Sequence, residues 1–232
     1  MQDPKSLAVA IGASGGLGGA FVRALREGGE FAEVIGLGRA SEPPIDLTDE
    51  ALIEAAARYV AGRRHPLRLV INAAGMLDRY GGVAEKSLKQ LDAASMQRVF
   101  ALNTIGPAIL MKHFLPLLAA DGRSVFASLS ARVGSIADNR LGGWYSYRAS
   151  KAALNQLVRT AAIELHRTRP QAVCVAIHPG TVATALSAPF NKHGLDVQTP
   201  ELAAQRVLDV LSRLDSSHSG QFFDHHGMPV PW

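Results

Sequence analysis

The chain has 232 residues, 47% of them hydrophobic and 19% charged, with 22 glycines and a single cysteine. That balance supports a large core and excludes a disordered chain, a disulfide scaffold and a cysteine-based zinc site. The net charge of +4 is scattered, Arg63-Arg64 being the only adjacent basic pair, so nucleic acid is not an expected partner. An anionic small ligand is the better use for a few well-placed arginines. No apolar run reaches the roughly 20 residues of a membrane span, and the start lacks a secretory signal; a cytoplasmic protein is expected.

Apolar runs of strand length alternate with helix-period stretches through the chain. Leu7–Ile11 reads as a buried strand, followed by glycines and a helix over 16–27. Glu33–Leu37 is a second strand, and a helix over 49–61 follows with Thr48 as its cap. Leu67–Asn72 is a third strand. A long helix over 95–118 is expected to break at Gly106-Pro107. Strands over 125–130 and 173–178 flank a helix over 145–167, and a helix over 200–214 precedes a short last strand over 221–224. Strands that are apolar throughout, alternating with helices, predict one α/β domain over 1–232: a doubly wound parallel sheet with helices on both faces. Residues 181–199 are the least regular stretch and are expected to form a lid over the site.

Gly12, Ser14, Gly16, Leu17 and Gly18 lie in a glycine-rich turn between the first strand and its helix. Glycines there let the backbone approach a pyrophosphate, and the N–H groups and dipole of the helix face its charge. The spacing is G-x-x-x-G-x-G, and no Gly-Lys-Ser/Thr follows, which disfavours a Walker-type phosphate loop. Arg39 comes just after the second strand, where a carboxylate would hold the ribose hydroxyls of NAD. A guanidinium forks well onto a 2′-phosphate, so Arg39 favours NADP(H) over NAD(H). Asp46, with Leu47 beside it, is placed either to accept a hydrogen bond from the adenine amine or to open the next helix with Thr48.

Tyr147 and Lys151 are four residues apart at the start of a helix, hence on one face. A phenol titrates near 10, too high for efficient proton transfer at neutral pH, and a neighbouring ammonium, joined by the positive charge of a nicotinamide, would lower it. The conjunction of this pair with the glycine turn, Ser130 at the end of a strand and Pro179-Gly180 after another is more specific than any one member.

With those residues in view, the chain resembles the short-chain dehydrogenase/reductase superfamily from end to end. Gly12-x-x-x-Gly16-x-Gly18, Asn72-Ala73-Ala74-Gly75, Asn103, Ser130, Tyr147-x-x-x-Lys151 and Pro179-Gly180-Thr181-Val182 carry the resemblance. Residues 131–139 and 142–148, with the closing Gly220-Gln221-Phe222-Phe223-Asp224 and Pro231-Trp232, look like the carbonyl-reductase-like subgroup that includes C-factor signalling proteins. The resemblance implies a Rossmann fold and a set of roles. Tyr147 would exchange a proton with the substrate oxygen and Ser130 would hydrogen-bond it, with Ser128 as reserve. Lys151 would bind ribose hydroxyls and lower the tyrosine pKa, and Asn103 would hold a water in a proton relay. Asn72, Ala73, Ala74 and Gly75 would line the adenosine side, and Pro179, Gly180, Val182 and Thr184 would flank the nicotinamide. The sequence departs from the family at Ile11, where threonine is usual, and at Ala73, where a second asparagine is usual. Counted back from Gly134, the usual serine position falls on Ala131, whereas counting along the strand favours Ser130.

The expected activity is NADP(H)-dependent hydride transfer between nicotinamide and a small-molecule carbonyl or alcohol. Enoyl reduction is disfavoured, since family members with that activity space tyrosine and lysine more widely. The alternative is a nucleotide-bound signalling protein of C-factor type with little turnover. His225-His226 reads as a solvated turn, Cys174 as a buried small hydrophobe, and Trp144 with Leu141 either as an apolar substrate wall or as packing. No metal ligand set is expected. The substrate, and the choice between monomer, homodimer and homotetramer, stay open at this level.

Overall fold

The computed structural model describes residues 6–77, 84–187 and 196–232. Six strands form one parallel sheet: β1 (Leu7–Ile11), β2 (Glu33–Leu37), β3 (Leu67–Asn72), β4 (Ser124–Leu129), β5 (Ala172–His178) and, from the end of the chain, Phe222–Asp224. The order is β2-β1-β3-β4-β5 followed by the Phe222–Asp224 strand, with every pair parallel. Helices α1 (Gly16–Gly28), α2 (Glu50–Ala61), α3 (Ala93–Phe100), α4 (Gly106–Phe114), α5 (Tyr145–Thr168) and α6 (Pro200–Arg213) cover it. The doubly wound parallel sheet expected from the alternation is therefore the observed architecture.

Successive strand residues point to opposite faces, so each strand feeds two cores. Val9, Ile11, Val70, Phe126 and Cys174 pack with Ile53 of α2, Phe114 of α4 and Leu154 of α5. Ala8, Ala10, Ile71, Val125 and Val173 pack with Phe21 of α1 and Val207 of α6. Burial on both faces is why the strands read as continuous apolar runs rather than alternating ones.

Three local expectations change. Asp49, not Thr48, caps α2: its carboxylate accepts from Ala51 N at 2.9 Å and Leu52 N at 3.3 Å. The Thr48 hydroxyl turns back to donate to Asp46 Oδ1 at 2.7 Å. The long helix begins earlier, with Asp92 accepting from Ser95 N, and does not break at Pro107. A π-helical turn over Ala101–Ile105 joins α3 to α4 instead, ending beside Gly106-Pro107, and the altered hydrogen-bond register there accommodates a proline that has no N–H to donate. Within the 181–199 stretch, β6 (Thr181–Val182) pairs in parallel with β7 (Val197–Gln198), and the closing strand of the large sheet is thus β8 (Phe222–Asp224). The rest of the expected lid, residues 188–195, lies outside the described residues. No described helix is long and apolar enough to cross a membrane.

Candidate active site

β1 has β2 on one side and β3 on the other, so the connections from β1 and β3 leave in opposite directions. Such a switch point opens a crevice at the carboxyl ends of the strands, and the candidate residues gather there.

The glycine turn forms one wall. Gly12 has φ +85°, and a Cβ added there would lie 2.9 Å from Ala74 N, so only glycine lets the turn lie against the 73–75 segment. A Cβ on Gly18 would fall 2.1 Å from Gly12 O, so the helix can start this close to the strand only with glycine. Gly15 caps α1 without a side chain, and Ser14, Gly15 and Gly16 are exposed. The first N–H groups of a helix lack intrahelical partners, and no side chain caps them here, which is what an anion site requires. A Cβ on Gly16 would lie 3.3 Å from Thr184 Cγ2, which brings Thr184 to this wall beside Leu17. Ser14 borders Gly38, and the exposed Arg39 follows at the carboxyl end of β2. Asp46 accepts from Thr48 N at 2.9 Å, and the flanking Ile45 and Leu47 are core residues.

The floor is a buried polar frame. Asn72 donates from Nδ2 to Ser128 Oγ at 3.1 Å and accepts at Oδ1 from Ala74 N at 3.2 Å, which ties β3 to β4. Ala73 makes the backbone bond to Ile11 O at 2.9 Å. Asn103, in the π turn, accepts from Met76 N at 2.8 Å and donates to Met76 O at 2.7 Å and Ser150 Oγ at 3.1 Å. It therefore straps the loop after β3 to α5. A Cβ on Gly75 would lie 3.5 Å from Lys151 Nζ and 3.6 Å from Asn103 Oδ1, so both polar atoms border one small space that glycine keeps open.

α5 carries Tyr147, Lys151 and, one turn further, Asn155. Lys151 is 3% exposed and donates to Leu129 O at 2.9 Å. Burial holds its ammonium well below the usual range, at about 8. Its Nζ stands 5.9 Å from the centre of the Tyr147 ring. Burial also raises the Tyr147 phenol, to about 12. Desolvation of the phenolate is what raises it in the ligand-free chain, and the lowering expected of Lys151 was expected together with the positive charge of a bound nicotinamide. Trp144 approaches Tyr147 edge-on, with ring centres 6.3 Å apart, and Leu141 is 92% exposed nearby in sequence.

Ser130 follows β4 directly. Its N–H continues the ladder to Ile177 O at 2.7 Å, and its hydroxyl donates to Asn155 Oδ1 at 2.6 Å. Ser128 is buried and occupied by Asn72. Sequence reasoning missed Asn155, although its four-residue step beyond Lys151 is a readable signal. Pro179 and Gly180 follow β5, Gly180 has φ +81°, and Val182 closes the two-residue strand β6. The His225-His226 reading needs correction. His225 is partly buried, and a Cβ on Gly180 would lie 3.1 Å from its Nδ1; His226 alone is exposed. His178 lies across from His225 with ring centres 6.1 Å apart, and burial pushes it down to about 4. Among the described residues, Nδ1 of both histidines and Nδ2 of Asn155 are buried without hydrogen-bond partners. Cys174 is fully buried, its thiol pushed up to about 12, as an inert core residue would be. The described residues contain no group of three or more potential metal ligands.

A family model described as enoyl-(acyl carrier protein) reductase matches residues 18–210. The 1-hydroxy-2-glutathionyl-2-methyl-3-butene dehydrogenase of Rhodococcus sp. (strain AD45) is 30% identical over 240 residues, covering 98% of this chain and 100% of its own. The chain belongs to the short-chain dehydrogenase/reductase superfamily. Among its relatives in that superfamily is the C-signal of Myxococcus xanthus, 37% identical over 169 residues, or 72% of this chain and 93% of the relative. The NADPH-bound carbonyl reductase from chicken fatty liver superposes with a TM-score of 0.85 at 29% identity, covering 100% of both chains. This short-chain dehydrogenase/reductase is carbonyl-reductase-like and is an oxidoreductase.

Proposed function

We propose that the whole chain acts as one NADP(H)-dependent carbonyl reductase unit, interconverting a small-molecule carbonyl and its alcohol. The observation that carries this reading is the Tyr147–Lys151 pair at the head of α5, with Lys151 Nζ bordering Gly75 and the glycine turn lying against the neighbouring Ala73 and Ala74. The tyrosine–lysine spacing favours a carbonyl over an enoyl substrate despite the name attached to the family model.

The residues suit the cofactor. The turn of Gly12, Ser14, Gly16, Leu17 and Gly18 would hold the pyrophosphate, and Arg39 the 2′-phosphate. Asp46, Leu47 and Asn72 to Gly75 would border the adenosine, and Pro179, Gly180, Val182 and Thr184 the nicotinamide. When bound, the cofactor supplies or accepts hydride. Tyr147 gives its phenolic proton to the carbonyl oxygen in reduction and takes it back in oxidation. Lys151 holds ribose hydroxyls, and its ammonium favours the tyrosinate that forms. The space bordered by Lys151 Nζ and Asn103 Oδ1 suits the relay water. Ser130 holds the substrate oxygen once its hydroxyl turns from Asn155; Ser128 is too well occupied for that role.

The test is a nicotinamide-fluorescence titration with NADPH and NADH, and turnover of benzil and benzaldehyde. Expected are NADPH binding at least tenfold tighter than NADH, and turnover lost in Tyr147→Phe with NADPH binding kept. Equal binding of the two cofactors would overturn the role of Arg39. The similarity to the C-signal favours a second reading, a nucleotide-bound signalling protein. Under it, the biological effect would survive Tyr147→Phe.

A further inference from the structure

α5 bears the proposed general acid in its first turn, yet its own residues do not cap it. Trp144, the N-cap residue, has φ 53° and ψ 43° and makes no side-chain cap bond, and the first turn has no acidic residue. A helix of 24 residues presents unpaired N–H groups and partial positive charge at its start. Glu85, 61 positions earlier in the chain, meets both needs. Its Oε2 accepts from Ser146 N at 3.4 Å, and its Oε1 accepts from the Ser146 hydroxyl. Its backbone carbonyl accepts from Trp144 N at 2.5 Å, and a Cβ on Gly143 would lie 3.4 Å from the same oxygen. Glu85 thus grips Trp144 and Ser146, the residues that lead into Tyr147.

We propose that Glu85 is a positioning residue for the reaction, a cap supplied from a distant segment that holds the turn carrying Tyr147. The inference rests on Tyr147 as the general acid. The backbone of Trp144 is left-handed, a conformation that a bulky side chain keeps only where its surroundings enforce it. The Glu85 carbonyl is one such restraint, and the carboxylate adds charge-assisted bonds at the next residue but one. Lys151 is anchored independently, through Leu129 O. Losing the Glu85 carboxylate therefore loosens the tyrosine turn and leaves the lysine turn in place. Proton transfer tolerates little displacement of the donor, so kcat is the parameter that responds.

The experiment compares Glu85→Ala and Glu85→Gln with the wild-type protein. Amide hydrogen exchange across residues 145–149 of the free protein is measured alongside benzil reduction and NADPH affinity. Expected for Glu85→Ala are at least tenfold faster exchange confined to that turn and a kcat at least tenfold lower. KM and NADPH affinity stay within twofold, and Glu85→Gln, which keeps an acceptor for Ser146, recovers at least a third of kcat. Unchanged exchange in both variants overturns the proposal. So does a loss of kcat accompanied by equal losses of NADPH affinity and thermal stability, which would mark Glu85 as general scaffolding. Should Glu85→Ala not fold, Glu85→Asp, whose carboxylate is one methylene shorter, takes its place, and either unaltered exchange across 145–149 or faster exchange spread over all of α5 in that variant refutes the proposal as well. If the wild-type protein and Tyr147→Phe reduce benzil equally slowly, the catalytic reading fails, and the exchange data still judge the cap by themselves.

Discussion

Replacing Lys151 with methionine should make the ligand-free protein more stable while destroying its activity. The ammonium is 3% exposed, and burial lowers its pKa from 10.5 to about 8. Each pKa unit corresponds to about 1.36 kcal/mol, so keeping Lys151 protonated below pH 8 costs the folded state roughly 3 kcal/mol. Methionine has a similar length and carries no charge, which removes that cost. Losing the bond from Nζ to Leu129 O returns about 1 kcal/mol of it. The net gain at pH 7 is about 2 kcal/mol, or a melting temperature higher by roughly 4–8 °C for a chain of this size. The pH dependence follows from the direction of the shift. Between about pH 8 and 10.5 the unfolded chain binds more protons at this site than the folded one, so wild-type stability rises through that window. The advantage of Lys151→Met should therefore shrink from pH 8 upward and vanish by about pH 10.5. Urea unfolding of both proteins at pH 7, 9 and 10 measures it. A methionine variant that is less stable at pH 7, or whose advantage does not change with pH, would refute the reasoning.

Other expectations follow from single contacts. Gly18→Ala places a methyl 2.1 Å from Gly12 O, so the turn must deform; at least ~2 kcal/mol of stability and most NADPH binding should be lost, by denaturant unfolding and fluorescence titration. Asp49→Ala should cost about 1 kcal/mol of stability and Thr48→Ala clearly less, because the Asp49 carboxylate accepts the helix N–H groups. His178 has a folded pKa near 4 against 6.5 in its ordinary state. The unfolded chain thus takes up the proton first on acidification, and the stability this histidine contributes is lost from about pH 6.5 down to 4. His178→Gln should flatten that part of the stability profile; an unchanged profile would show that His178 does not titrate there.

Much of this protein is legible in one dimension because the relevant signals are local. All six strands of the main sheet are short apolar runs between turn residues, and each was placed to within a residue or so. The glycine turn and the Tyr147–Lys151 step are likewise contained within one strand–helix unit and one helical turn. The cap of α2 was misread by one residue because Thr48 and Asp49 both suit the role, and only the direction of their side chains separates them. The π turn at Ala101–Ile105 leaves no periodic trace, since five residues differ little from a helical run.

The amino-acid sequence determined the parallel α/β architecture, the glycine-rich turn, and the pairing of phenol and ammonium on one helical face. These depend on backbone geometry and on residues within a few positions of each other. Tertiary structure decided the partner of each hydroxyl, for Ser128 accepts from Asn72 and Ser130 donates to Asn155. It set the burial that raises the Tyr147 phenol in the ligand-free chain, since desolvation depends on the whole surroundings and not on spacing. It also brought Glu85 to the head of α5 and His225 to Gly180, contacts between segments far apart in the chain that arise only when the sheet sets their carboxyl ends side by side.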